Sequence, residues 1–250
     1  GGGSYNNISP LGQSGSSNAD WEAPILYDPN DHMRLYNLSD SLFVSEDFGS
    51  TWNFLGDMHT TGNNGNADNV AIAENNSNIM LVSVNSTLKK SINGGSSFVR
   101  IGSNVLSSST IQDIAFDPRD DNTFIVTYAN YQNDNAKVFM TTDGGNSWIN
   151  ITYNLGDMPI HSVVIDHTDQ SNIYLGAEMG VYTMPKGGTV WSLYNTDLPN
   201  MSVEELEIVY GSNTLRAATW GRGVWEYSLM NRSSYPVILK TNITNQQTDQ

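Results

Sequence analysis

Several side chains in this 250-residue sequence are of types that could do chemistry. Trp220 and Arg222 stand two residues apart, an aromatic face and a guanidinium that could stack on a sugar ring and clasp a carboxylate. Asp57 and Asp157 each lie in a Gly-Asp-Met triplet and could supply carboxylates. His59 and His161 could ligate a metal, but spacing offers no third ligand. The acidic stretches Asp117 to Asp121 and Asn63 to Asn69 carry oxygen donors for Ca²⁺, although neither has the spacing of a calcium loop. No Gly-x-Ser-x-Gly elbow, His-Glu-x-x-His helix or phosphate-binding glycine loop occurs, so acyl transfer, zinc proteolysis and nucleotide chemistry have no motif to stand on. No metal site and no cofactor is expected, with Ca²⁺ as the one open possibility.

The elements that must position these residues are repeats. The octet Thr141-Thr-Asp-Gly-Gly-Asn-Ser-Trp148 recurs as Ser45 to Trp52 and, more weakly, as Ser91 to Phe98; a copy at Thr183 to Trp191 lacks the acid and has one extra residue. The common pattern is Ser/Thr-x-Asp-x-Gly-x-x-Trp, carried by Ser45, Asp47, Gly49 and Trp52, by Ser91, Asn93, Gly95 and Phe98, and by Thr141, Asp143, Gly145 and Trp148. The acid or amide accepts backbone N–H groups inside a tight turn, the glycine supplies a positive φ, and the aromatic ring anchors the next strand. A second phrase, strand-turn-strand, precedes each copy: Pro24-Ile-Leu-Tyr-Asp-Pro before Arg34-Leu-Tyr36, Ile114-Ala-Phe-Asp-Pro before Thr123-Phe-Ile-Val126, and looser versions at Val70, Val163 and Leu206. The Asp-Pro pairs are turn residues before they are metal ligands. A third strand leads into each octet and its aromatic opens a fourth, at intervals of roughly 43 to 50 residues, the length of one four-stranded propeller blade.

The octet resembles the Asp-box, or bacterial neuraminidase repeat, of β-propellers such as sialidases, xyloglucanases and sortilin-type receptors. Thr219-Trp-Gly-Arg-Gly-Val-Trp225 resembles the ending of Asp-box propellers in secreted Bacteroidetes proteins exported by type IX secretion. The resemblance implies an all-β fold: a β-propeller of four-stranded antiparallel blades with Asp-box turns, five blade units visible and part of a larger propeller. Residues 10–230 are expected to form the blades. Residues 1–9, whose Gly1-Gly-Gly-Ser-Tyr-Asn-Asn-Ile8 aligns on Gly144 to Ile151, are expected to be the fourth strand of a preceding or the closing blade. The polar residues 231–250 are expected to be a linker or the start of a following module, covalently continuous with further domains.

In such propellers the Asp-box turns occupy one face, and ligand sites gather on the other and at the channel mouth. The resemblance therefore makes Tyr131, Glu178, Trp220, Arg222, Asp57 and Asp157 the ligand-binding candidates. Asp57 and Asp157 occupy equivalent positions in two units, which also suits a turn role. A sialidase would need three converging arginines and a Tyr/Glu/Asp set, and no such set is visible. A xyloglucanase would need two Asp residues across a cleft, one of them outside this sequence. No catalytic residue is therefore assigned. The expected function is a non-catalytic binding or structural platform for glycans or proteins; a glycoside hydrolase and a sortilin-like peptide-binding propeller are the alternatives.

Composition sets the outer bounds. A formal net charge of −15 leaves no basic stripe for a phosphate backbone, which argues against nucleic acid. No apolar run is long enough to span a membrane. Cysteine is absent, which excludes disulfides and thiolate metal sites. The abundance of Asn, Gly, Ser and Thr suits a secreted or cell-surface protein.

Overall fold

The computed structural model describes residues 24–39, 41–58, 67–167, 172–195, 197–229 and 238–239. They form five four-stranded antiparallel sheets, each built from four consecutive strands and arranged as the blades of a β-propeller. Blade 1 contains Ile25–Asp28 (β1), Asp31–Leu38 (β2), Ser41–Ser45 (β3) and Asn53–Asp57 (β4). Blade 2 contains Asn69–Ala73 (β5), Asn76–Val84 (β6), Thr87–Ser91 (β7) and Val99–Ile101 (β8). Asp113–Asp117 (β9), Asp120–Thr127 (β10), Val138–Thr141 (β11) and Ile149–Asn150 (β12) make blade 3. Ile160–Ile165 (β13), Asn172–Ala177 (β14), Gly180–Pro185 (β15) and Ser192–Leu193 (β16) make blade 4. Blade 5 has Val203–Val209 (β17), Thr214–Thr219 (β18), Gly223–Ser228 (β19) and Ile238–Leu239 (β20).

The pairing Tyr227↔Ile238 and Glu226↔Leu239 supplies blade 5 with its fourth strand from the segment expected to be a linker or the start of a following module. The alternative donor, Gly1 to Ser9, lies outside the described residues.

Strand alternation sends each blade's two faces into two interfaces, which is why the middle strands read as nearly continuous apolar runs. Tyr36, Leu38, Leu42 and Val44 of blade 1 pack on Val70, Ile72, Met80 and Val82 of blade 2. Leu81 and Leu88 of blade 2 meet Ile114, Phe116, Phe124 and Phe139 of blade 3. Separate clusters join blade 3 to blade 4, around Ile125, Ile165 and Leu175, and blade 4 to blade 5, around Tyr174, Leu206 and Leu215.

In blades 1, 2 and 3 the Asp-box turns close the third-to-fourth strand connection by one repeated hydrogen-bond circuit. In blade 3 the buried Thr141 hydroxyl donates to Asp143 Oδ1 (2.8 Å) and accepts the Gly145 N–H (3.0 Å), while Asp143 accepts Ser147 N–H (2.9 Å) and Oγ–H (2.6 Å). Ser45/Asp47/Gly49/Thr51 repeat it bond for bond, and Ser91/Asn93/Gly95/Ser97 repeat it with one bond reversed, the Asn93 amide donating to Ser97 Oγ. Gly145 has φ of 96° and a Cβ there would lie 2.7 Å from Ile101 Cδ1 of blade 2, so the glycine serves both the turn and the blade interface. Trp148 meets Phe124 edge-on at 5.5 Å, and Phe98 packs on the cluster between blades 1 and 2. Trp52 is partly buried. The degenerate fourth copy replaces the acid circuit with a bond from Gly188 N–H to Pro185 O (2.7 Å) and buries Trp191, whose Nε1–H donates to Ile151 O (2.7 Å).

Candidate ligand site at the channel mouth

The innermost strands β1, β5, β9, β13 and β17 surround a channel of about 900 Å³. Its end away from the Asp-boxes is rimmed by Asp68, Asp113, His161, Glu204, Glu205 and Trp220. Two β-bulges build this rim. In blade 4, Ile160 pairs with Ala177 and Ser162 with Gly176, leaving His161 as the extra residue; in blade 5, Val203 pairs with Thr219 and Glu205 with Ala218, leaving Glu204 as the extra residue. A bulge re-aims the side chain it carries, and the two bulges face each other across the blade 4/blade 5 interface. His161 Nδ1 lies 3.8 Å from Glu204 Oε2, and its Nε2 shares a 3.1 Å hydrogen bond with Glu178 Oε2. Gly176 makes the close approach possible: a Cβ there would lie 2.8 Å from the Val203 carbonyl oxygen.

Tyr131 completes the cluster from blade 3. It sits on the loop between β10 and β11, exposed, with its hydroxyl facing the Glu178 carboxylate. The negative charge of Glu178, followed by desolvation, hydrogen bonding to that carboxylate and Glu204, pushes the Tyr131 hydroxyl above its ordinary range. The loop is tied down by Lys137, whose fully buried Nζ donates to Asn130 Oδ1 (2.6 Å), Gln132 O (2.6 Å) and Asp134 Oδ1 (2.9 Å). Those three acceptors bracket Tyr131, so an internal cation holds the aromatic over the mouth.

Below the rim, Asp113 of blade 3 accepts Val163 N–H (2.8 Å) and Ser162 Oγ–H (3.0 Å) of blade 4, and Ser162 Oγ accepts Leu206 N–H (3.0 Å) of blade 5. Burial pushes the Asp113 carboxyl up despite these donors. The wall therefore joins three blades through polar contacts and carries carboxyl groups, with no Lys or Arg among its described lining residues.

The structure brings Tyr131, Glu178 and Trp220 to this end of the channel. Trp220 is 77% exposed, held by its N–H to Ser202 O (3.0 Å). Arg222 follows in the same turn, exposed and without a hydrogen bond or ion pair among the described residues. Asp57 and Asp157 do not line the channel: Asp57 ends β4 opposite Ser41, and Asp157 accepts the Asn135 N–H (3.0 Å) at the base of the Tyr131 loop. His59 and Asn63 to Asn66 lie outside the described residues. In the Asp117 to Asp121 stretch the carboxylates are engaged by protein donors: Asp117 by Arg119 N–H and Lys186, Asp120 by Asn122 N–H and Thr123 Oγ–H, and Asp121 by Asn75 Nδ2–H. His161, Glu204 and Lys137 are the residues that sequence reasoning left without a binding role. The signal for the bulges was the broken alternation at Val203-Glu-Glu-Leu206.

Residues 40–203 match the Sortilin-Vps10 family, described as "Sortilin, neurotensin receptor 3". No curated protein matches the chain. Among solved structures, an ancestral GH74 enzyme superposes with a TM-score of 0.65 at 23% identity, covering 88% of this chain and 31% of that one. The Niastella koreensis GH74 enzyme gives 0.64 at 19% identity over 81% of this chain and 36% of its own. The GH74 xyloglucanase from Xanthomonas campestris gives 0.62 at 16% identity over 82% and 36%. This chain thus spans about a third of the length of those enzymes, and the likeness is one of fold.

Proposed function

The chain belongs to the Sortilin-Vps10 propeller family, and from that premise we propose that it is a non-catalytic binding module that holds an extended peptide segment of a protein partner at its channel mouth. The observation that carries the reading is the convergence of Tyr131, His161, Glu178 and Glu204 from three blades on one end of the channel. Glu178 and Glu204 offer acceptors to a cationic group, and the exposed rings of Tyr131 and Trp220 offer faces on which such a group can rest. An extended peptide can meet these groups in a channel lined by strand backbones. The family description names a receptor, in keeping with binding rather than turnover. The acidic, Asn- and Ser/Thr-rich composition supports a place outside the cell, secreted or on its surface.

The test is a selection from random decapeptides, with enriched peptides measured against the wild-type protein and the Glu178→Gln/Glu204→Gln variant. Binding should fall about tenfold or more when both carboxylates are neutralised; binding held within twofold, with native circular dichroism, overturns the assignment of the site. The fold likeness to GH74 enzymes supports a second reading, glycoside hydrolysis. Incubation with xyloglucan and with sialosides decides it: release of reducing sugar that a single carboxylate substitution abolishes refutes the non-catalytic reading.

A further inference from the structure

The channel is barred at its Asp-box end. The Tyr210 hydroxyl of blade 5 donates to Glu74 Oε1 of blade 2, and both residues line the channel. Blades 2 and 5 are not neighbours in the ring, so a bond between these residues must cross the bore. The Tyr210 ring is held in place by His167 of blade 4, with ring centroids 4.4 Å apart. Register aligns Val209 with Asp166 and Tyr210 with His167, so the two rings that meet are equivalents from adjacent blades, and Tyr210 is the one that reaches Glu74.

Resting on the peptide-binding reading above, we propose that the channel is a blind pocket with one entrance and that its ligand is the free amino end of a chain rather than a threaded internal segment. An internal segment needs two exits; a bar across one end leaves room for a terminus alone. The polarity follows from the wall. Glu74 stands at the barred end and Asp68, Asp113, Glu204 and Glu205 line the mouth, with no Lys or Arg among the described lining residues, so an ammonium is complemented along its path and at its end and a carboxylate is repelled. Depth sets the length read. The inner strand β5 has 5 residues, and at about 3.3 Å per residue it spans roughly 16 Å, so an extended ligand inserts about five residues before it meets the Tyr210–Glu74 bar.

Two displayed libraries of the same random decapeptides test this, one linear with a free amino terminus and one closed into a loop, each probed with the 250-residue protein. The linear library alone should yield binders. N-acetylation of a selected peptide should weaken it about tenfold or more, and truncation from the carboxyl end should leave affinity within about threefold until roughly five residues remain. Looped or acetylated peptides that bind as tightly as free ones overturn the proposal and leave peptide binding standing. Absence of binders in both libraries overturns both. Tyr210→Ala, compared with Tyr210→Phe, supplies the structural arm: opening the bar should admit looped peptides to the Ala variant, and their continued exclusion refutes the role given to Tyr210.

Discussion

The Asp-box circuit makes a specific energetic prediction at Thr141. Its hydroxyl is 1% exposed and is the acceptor for the N–H of Gly145, which is itself buried. Thr141→Val keeps the shape of the side chain and removes the oxygen, so the Gly145 donor is left in a dry turn with no partner. An unsatisfied buried donor costs about 1–3 kcal/mol. The hydroxyl's second partner, Asp143, faces water, which takes over much of the lost donor, so that bond adds little to the loss. With a urea m-value of about 3 kcal/mol/M, the expected loss moves the unfolding midpoint down by roughly 0.3–1 M. Thr141→Ser is the control, because Ser45 and Ser91 fill the same position in blades 1 and 2 with the same bonds; it should unfold within about 0.2 M of wild type. Urea titrations followed by tryptophan fluorescence and far-UV circular dichroism read both variants. A Thr141→Val protein with the wild-type midpoint would show that the hydroxyl does not hold the turn.

Three further outcomes follow from the same geometry. Hydrogen bonds from Ser147 and Thr141 hold the Asp143 carboxyl down to about 2; a folded-state pKa below the unfolded value of about 3.9 contributes stability that is present above pH 4 and lost as pH falls towards 2. Asp143→Asn, which copies Asn93 of blade 2, should flatten the pH dependence of the melting temperature in that window and leave it unchanged above pH 5. Phe116→Ala, in the buried interface of blades 2 and 3, should cost about 3–5 kcal/mol, whereas Tyr27→Ala at the equivalent position of blade 1, 60% exposed against 7%, should cost about 1 kcal/mol or less; equal losses in chemical denaturation would contradict the blade assignment. Tyr131 should titrate above its ordinary value because Glu178 and Glu204 face it. Glu178→Gln should bring the tyrosinate transition, followed by absorbance at high pH, down towards about 10, and Lys137→Met should do the same by freeing the loop. An unmoved transition in both variants would separate Tyr131 from the cluster.

The scaffold was legible in the sequence because each blade solves the same packing problem with the same residues. Asp47, Asn93 and Asp143 recur since the third-to-fourth strand turns of blades 1 to 3 each need one acceptor for the same two donors, and Phe116, Phe124 and Trp148 recur as types since the blade interfaces must be filled. The fourth strand of blade 5 was not legible for the converse reason: Ile238–Leu239 pairs with β19 after a connection that carries no Asp-box. The candidate site is built from departures of this kind. His161 and Glu204 point to the mouth because one residue too many interrupts β13 and β17, and period-two reading loses a strand at that very residue. Tyr131 faces Glu178 from a loop of eight residues between Tyr128 and Lys137, whose order depends on a buried lysine with acceptors contributed by that loop alone. Tyr210 reaches Glu74 across the channel from the end of β17. Repetition accounts for the ring, and the bulged residues assigned to binding sit where blades 4 and 5 depart from blades 1 to 3, so deleting the extra residue at His161 or Glu204 should spare the fold and weaken ligand binding, whereas Tyr210→Ala should widen what the channel admits.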